Sequence, residues 1–295
     1  MHLDFYKVKK YFFHIYFQKG ILPMFDSGLG VSISSLTGGL NHTQIQYLRD
    51  SGIRTFELNP VNFTGDYDRA VREALKKMLD ETGKKAISYH IPFTKPDDIS
   101  DPDEPLRVRA MSRFRALLKE AEFFGSEIIV LHPSTEPVNQ NLRREHITQL
   151  RKSMTEMEDE VREKKMRVAL EMLPRRCMGN TLADISGMLE GFSDTFGCCL
   201  DVNHLMDQYS TIPDMVRNLG PKLITLHISD YDGIDERHWM PGMGVIDWKA
   251  FLEALRDIGY KGPFNYEIKL NAELPTQDWI AAIESNFRRM KSFLR

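Results

Sequence analysis

The chain has 295 residues, 42% hydrophobic and 27% charged, with a formal net charge of −3. That is ordinary globular composition with ample material for a core, and its slight acidity withholds the basic surface that sequence-independent nucleic-acid binding needs. Three cysteines, two of them adjacent at Cys198 and Cys199, form neither a disulfide framework nor a cysteine zinc site and suit a reducing cytoplasm, while no stretch approaches the ~18 consecutive apolar residues of a membrane span.

In chain order, residues 1–25 place Lys7, Lys9 and Lys10 ahead of an aromatic run from Tyr11 to Phe17. A basic segment before an apolar one is the outline of a signal peptide. Here His14 interrupts the run, and Gln18-Lys19 ends it without a small-residue cleavage site. The expectation is an N-terminal extension, or a translation start placed too early, with Met24 just before the first core strand.

Strand-like and helix-like segments then alternate. Strands are expected at Gly30–Ser34, Thr55–Leu58, Ala86–His90 and Ile128–His132. Helices are expected near Gln44–Ser51, with Asn41 or Thr43 as cap, then at 66–82, 102–124 and 142–164. In the third of these, Leu106, Met111, Phe114, Leu117, Leu118 and Ala121 share one face. Four short apolar runs follow, ending in Glu171, Asp201, His227 and Glu267. Helices near 181–192, 212–218 and 248–258 separate them, and a last helix starts near Pro275. Apolar runs of this length read as strands buried on both faces of a parallel sheet. Eight such units predict an α/β fold of one closed (β/α)8 barrel over residues 26–295, rather than an open doubly wound sheet. Neither GxGxxG after a strand nor GxxxxGK[ST] occurs, so dinucleotide and P-loop chemistry have no support.

In parallel barrels the active site lies at the C-terminal ends of the strands. Glu171, Asp201, His227 and Glu267 would meet there, and carboxylates with neutral imidazole make a site for a divalent cation. His90 and His132 close the third and fourth strands, His204 stands three residues past Asp201, and Glu236-Arg237-His238 follow the seventh strand. Five of the nine histidines thus fall at predicted strand ends or just beyond. Each has a plainer use: a hydrogen-bonded structural His for His90 and His132, a helix cap for Asp201 and His204, an exposed loop for Glu236 and Arg237. Glu171 and Glu267 resist the plainer use best, because a carboxylate ending a buried strand is costly unless paired or bound to a cation.

From about Gly28 onward the chain resembles the xylose isomerase-like TIM barrel superfamily, in particular its sugar-phosphate isomerases and epimerases and their relative, endonuclease IV. The resemblance rests on Leu-Glu171, Leu-Asp201-x-x-His204, Leu-His227, Tyr-Glu267 and the stretch Arg237-His238-x-x-Pro241-Gly242-x-Gly244-x-Ile246-Asp247-Trp248. It implies one divalent metal, Mn2+ foremost with Zn2+, Co2+ or Mg2+ as alternatives, held by Glu171, Asp201, His227 and Glu267. It further implies that Glu171 and Glu267 act as general base and acid beside a substrate carbonyl, and that His204, Arg237 and His238 bind substrate oxygens, with His90 and His132 as further substrate or supporting groups. The implied partner is a small sugar or sugar phosphate rather than nucleic acid or membrane, with the oligomeric state left open.

Two departures accompany the resemblance. The loop after Glu171 reads Met172-Leu173-Pro174-Arg175-Arg176-Cys177 where many relatives carry an amide-rich loop, so Arg175 and Arg176 either clasp an anionic substrate group or form a solvated loop. In addition, His90, His132, Glu171, Asp201, His204, His227, Glu236, His238 and Glu267 match the nine groups that hold three zinc ions in endonuclease IV, with Glu236 in place of an aspartate. A trinuclear phosphodiesterase therefore stands as an alternative. So do an inosose dehydratase-like lyase and a non-catalytic sugar-binding barrel.

Overall fold

A computed structural model describes residues 28–36, 40–60, 68–269 and 274–294. The expected N-terminal extension lies outside the described residues. Eight strands, β1 (Leu29–Ser32), β2 (Thr55–Leu58), β3 (Lys85–His90), β4 (Ile128–Leu131), β5 (Arg167–Glu171), β6 (Phe196–Asp201), β7 (Leu223–Ile228) and β8 (Phe264–Tyr266), alternate with helices. All pairings are parallel, each strand beside its sequence neighbour, and β8 pairs back onto β1 through Leu29 opposite Phe264. The expected (β/α)8 barrel is the fold. No helix among the described residues is long and apolar enough to cross a membrane.

The helices are α1 (His42–Asp50), α2 (Asp68–Thr82), α3 (Glu104–Phe124), α4 (Arg143–Glu163), α5 (Leu182–Leu189), α6 (Ile212–Leu219), α7 (Trp248–Asp257) and α8 (Thr276–Ser292). Their starts are written in the sequence. Asn41 forms a reciprocal capping box with Gln44, and the side chains of Asp103, Thr181 and Asp247 accept from the first turns of α3, α5 and α7. Three segments differ from expectation. The first strand ends at Ser32 rather than Ser34, because Ile33–Ser35 turn into a 3-10 helix. α5 stops at Leu189 rather than reaching Phe192, because Glu190 turns extended and Gly191 takes a left-handed φ of 81°. Between β6 and α6 runs a 3-10 stretch, Val202–Thr211, broken at Met206.

Residue alternation along the strands sorts the core. Ile129, Leu131, Val168, Leu170, Cys198, Leu200 and Leu226 point outward and join the helices in one continuous cluster. Ile87, Ile128, Val130, Ala169, Cys199 and Ile224 form a separate cluster that fills the barrel interior. The site residues continue this inward set two positions further along: Glu171 after Ala169, Asp201 after Cys199, His132 after Val130. An apolar plug thus floors a polar mouth. Register shifts occur on the β2–β3 pair, between Thr55 and Glu57, and on the β6–β7 pair, between Cys198 and Cys199. The extra residue falls on β3 after Lys85 and on β7 after Leu223, near the starts of those strands, and it sets which side chains they turn inward further along.

Candidate metal centre

Glu171 is the hub of the mouth. Its Oε2 lies 3.1 Å from both His90 Nε2 and His132 Nε2, and its Oε1 lies 3.2 Å from His227 Nδ1. His227 Nδ1 also meets Glu267 Oε2 at 2.9 Å and faces Asp201 Oδ2 at 3.9 Å. On the other side, His204 Nε2 stands 3.3 Å from Asp201 Oδ2 and 3.8 Å from Glu236 Oε2, which is 3.8 Å from His238 Nε2. Potential ligand atoms converge within 4.8 Å in three groups: Glu171, Asp201, His227 and Glu267; His90, His132 and Glu171; and His204, Glu236 and His238. All nine expected ligand-type residues are therefore brought together, with Glu171 shared by two groups.

The electrostatics are those of a site built around positive charge. Burial works to raise the Glu171 pKa, but the imidazoles of His227 and His132 outweigh it and hold the carboxyl well below the usual range. Burial likewise opposes ionisation of Glu267, and His227 again wins and lowers it. Burial pulls His90 down, yet the bond to Glu171 lifts it to about 9. Asp201 goes the other way: burial raises it against the pull of His204. Its Oδ1 caps the following turn by accepting from Asn203 N–H at 2.7 Å, while its fully buried Oδ2 has no hydrogen-bond partner. A buried carboxylate oxygen left unpaired beside two imidazoles and two more carboxylates is what a cation would satisfy, so the residues present fit a divalent metal.

Three contributors escaped the sequence reading. Glu57 on β2 is buried beneath the cluster, with its Oε1 3.0 Å from His227 Nε2 and its Oε2 accepting from Ser88 Oγ at 2.9 Å. It orients the imidazole so that Nδ1 faces the other acids, the usual arrangement behind a metal-ligating histidine. Asn203 spans two loops, its Nδ2 donating to Ser229 Oγ and to the Asp230 carbonyl at 2.9 and 3.0 Å, and its Oδ1 accepting from Arg237 N–H at 2.8 Å.

Asp230 is the third, and it explains the motif at 237–248. Its buried carboxylate accepts from Tyr231 N–H at 2.9 Å, Gly242 N–H at 2.8 Å, Ile246 N–H at 3.3 Å and Trp248 Nε1–H at 2.9 Å. Gly244 passes so close that a Cβ there would fall 2.0 Å from the Tyr231 carbonyl oxygen. The loop so pinned carries His238, at φ 52°, into the mouth. Asp230→Ala strands four donors and is expected to cost about 3 kcal/mol of stability; urea unfolding checks this, and a loss under 1 kcal/mol would remove Asp230 from this role.

The arginines lie outside the metal cluster. Arg175, at φ 53°, pairs with Glu136 Oε1 and Glu236 Oε1, both at 2.6 Å, and with Asp235 Oδ1 at 3.2 Å. It thereby ties together the loops after β4, β5 and β7. Arg237 pairs with Asp232 at 2.7 Å, Arg176 is exposed, and neither lines the mouth. For Arg176 this is the solvated-loop alternative, and Arg237 meets Asp232 in place of the cavity in which it was expected to bind substrate oxygens.

A closed parallel barrel with a carboxylate–imidazole ligand set at its C-terminal mouth defines the class of this protein. The profile of the xylose isomerase-like TIM barrel family matches residues 45–292, and the chain belongs to that family. Among curated relatives, an inosose isomerase of Bacillus subtilis (strain 168) is 26% identical over 188 residues, 58% of this chain and 66% of the relative, just under two thirds of its length. Among solved structures, a D-psicose 3-epimerase studied in the presence of D-fructose superposes with a TM-score of 0.74 at 18% identity, covering 90% of this chain and 96% of that one. The IOLI protein with a bound zinc atom superposes with a TM-score of 0.77 at 18% identity, covering 90% and 98%. At these identities the structural likeness is one of fold.

Proposed function

We propose that this chain is a metal-dependent sugar isomerase or epimerase that moves a proton on the carbon beside a carbonyl. The observation that carries the reading is the convergence of Glu171 and Glu267 on His227 Nδ1, at 3.2 and 2.9 Å, with Asp201 Oδ2, which has no hydrogen bond, beside them. Glu171, Asp201, His227 and Glu267 would hold a divalent cation, Mn2+ foremost, which supplies positive charge that acidifies a C–H next to a carbonyl. Glu171 and Glu267 divide the proton work between them. One takes the proton from carbon and the other returns one, so that a proton delivered to the opposite face inverts the centre. Glu57 holds His227 in place, and His204 and His238, which line the same cavity, offer imidazole nitrogens to substrate oxygens. The inosose isomerase relative and the ketose epimerase neighbour support the same chemistry.

The commitment of Arg175 to three carboxylates favours an uncharged sugar over a sugar phosphate, since its guanidinium already has anions to satisfy. The test is turnover on a panel of ketoses, inososes and their phosphates with Mn2+-loaded protein. Inversion or isomerisation of an uncharged sugar supports the reading, and turnover of phosphates alone overturns its substrate class.

One observation favours a second reading. The groups His90–His132–Glu171 and His204–Glu236–His238 complete a three-metal set of the endonuclease IV kind. Against it, Asp98, Asp101 and Glu136 line the cavity beyond the ligand groups and offset Lys95, Arg175 and Lys269, where a nucleic-acid backbone needs an excess of cations. Elemental analysis of protein purified without chelator separates the two: about one metal per chain fits the sugar enzyme, and about three zinc ions with cleavage of abasic-site DNA fit the phosphodiesterase.

A further inference from the structure

The cavity above the metal cluster measures about 910 Å3 and does not end at the cluster. That is near the top of the ~300–1,000 Å3 span of small-molecule pockets, which accommodates drug-sized ligands; a single sugar ring leaves much of it unfilled. The remainder runs between the β3–α3 loop and the start of α4, where Asp98, Asp101, Thr135 and His146 line it.

These residues divide into frame and free groups. Asp98 is frame: its Oδ1 accepts from Ser100 N–H and Ser100 Oγ–H at 2.8 and 2.6 Å, and its Oδ2 accepts from Thr135 Oγ1–H at 2.9 Å. Because the Ser100 hydroxyl hydrogen is spent on Asp98, the 3.0 Å contact of Ser100 Oγ with His146 Nδ1 requires the imidazole to donate. With Nδ1 so engaged, Nε2 is the ring atom left for a ligand, with no protein partner among the described residues. Asp101 Oδ1 accepts from Asp103 N–H at 2.8 Å, and its Oδ2 likewise has no partner among them. Both side chains are more than nine-tenths buried, His146 at 9% and Asp101 at 8% exposure, and both line the cavity. Both atoms open onto the cavity, where a ligand that brings donors can take the place of water. Sugar hydroxyls bring them, whereas a fully ionised phosphate group brings none.

We infer that the cavity carries a second sugar subsite, in which Asp101 Oδ2 and His146 Nε2 accept from the hydroxyls of a second ring, so that the substrate is an uncharged two-ring sugar or glycoside. This rests on the sugar isomerase reading and names its substrate class. The ring to be isomerised sits at the Glu171–Glu267 cluster, and its glycosidic partner sits between the β3–α3 loop and α4.

The experiment is calorimetric binding to Mn2+-loaded protein of two ketoses, D-fructose and D-tagatose, against two ketose disaccharides, lactulose and isomaltulose. Wild type is expected to bind at least one disaccharide about tenfold or more tightly than the matching monosaccharide, the worth of one or two added hydrogen bonds. Asp101→Asn, which keeps the acceptor for Asp103 N–H but turns Oδ2 into a donor, is expected to bring that ratio to about one. His146→Gln is expected to act in the same direction. Equal binding of both classes by wild type, or a ratio that survives both substitutions, overturns the second subsite while leaving the sugar reading intact. Binding of neither class overturns both together.

Discussion

Glu171→Gln is expected to lower turnover by about a thousandfold or more and to strip the metal from the purified protein, while the far-UV circular dichroism stays that of the wild type. The size follows from the position of the side chain, whose two oxygens serve His90, His132 and His227 and take part in two of the three ligand groups. Glutamine keeps the shape but removes the negative charge that balances those imidazoles, and it presents an amide donor where an acceptor is needed. General base catalysis alone accounts for about 10²–10⁴ in rate, and loss of the ion adds to it. The fold survives because the barrel is held by strand ladders and by an apolar plug that lies below the site. A variant retaining a tenth of wild-type turnover, or one that keeps its metal, would dismiss Glu171 from both roles.

Glu57→Gln is the second large effect, and its signature differs. Glu57 does not line the mouth; it acts through His227 Nε2 from below. Removing such a partner of a metal-ligating histidine weakens metal binding by about 10–100-fold. The variant is therefore expected to be inactive at trace metal and to recover most of its turnover when Mn2+ is supplied in excess, whereas Glu171→Gln recovers none. Metal titration followed by activity separates the two. Unchanged metal affinity in Glu57→Gln would make Glu57 a plain buried ion-pair partner.

The two glutamates also mark how far the sequence could be read. Glu171 was legible because it closes an uninterrupted apolar run, and a carboxylate in that position has few innocent explanations. The same holds for Glu267, while Asp201 and His227 were legible by closing runs of the same kind, and the rhythm of eight such runs with intervening amphipathic segments made the barrel legible with them. Glu57 lies within an equally clear strand but one residue before its end, in Thr55-Phe56-Glu57-Leu58, so a search for strand-closing residues passes over it. Alternation was the missed signal: Thr55 and Glu57 share a face, and in a barrel that face is the interior. Asp230 was hidden for another reason. Its partners are backbone N–H groups and one indole spread over residues 231–248, and main-chain geometry leaves almost no trace in residue identity beyond Gly242 and Gly244. The arginines after β5 show the limit from the opposite side, because whether a guanidinium meets substrate or neighbouring acids depends on where three separate loops meet.

The pairing of β8 with β1 carries a consequence for biosynthesis. His227 collects its acidic neighbours from residues 57, 171, 201 and 267, so the cluster spans 210 positions of chain and the last of them follows the final strand. A nascent chain still lacking β8 has neither the Glu267 carboxylate nor a shut ring to hold the others in place. On the proposed metal-dependent reading, ion capture would be postponed to the moment the first and last strands join. A site of this chemistry prefers the tighter-binding divalent metals by intrinsic affinity alone, so on that reading the ion it would acquire is governed by supply at the place and time of that joining.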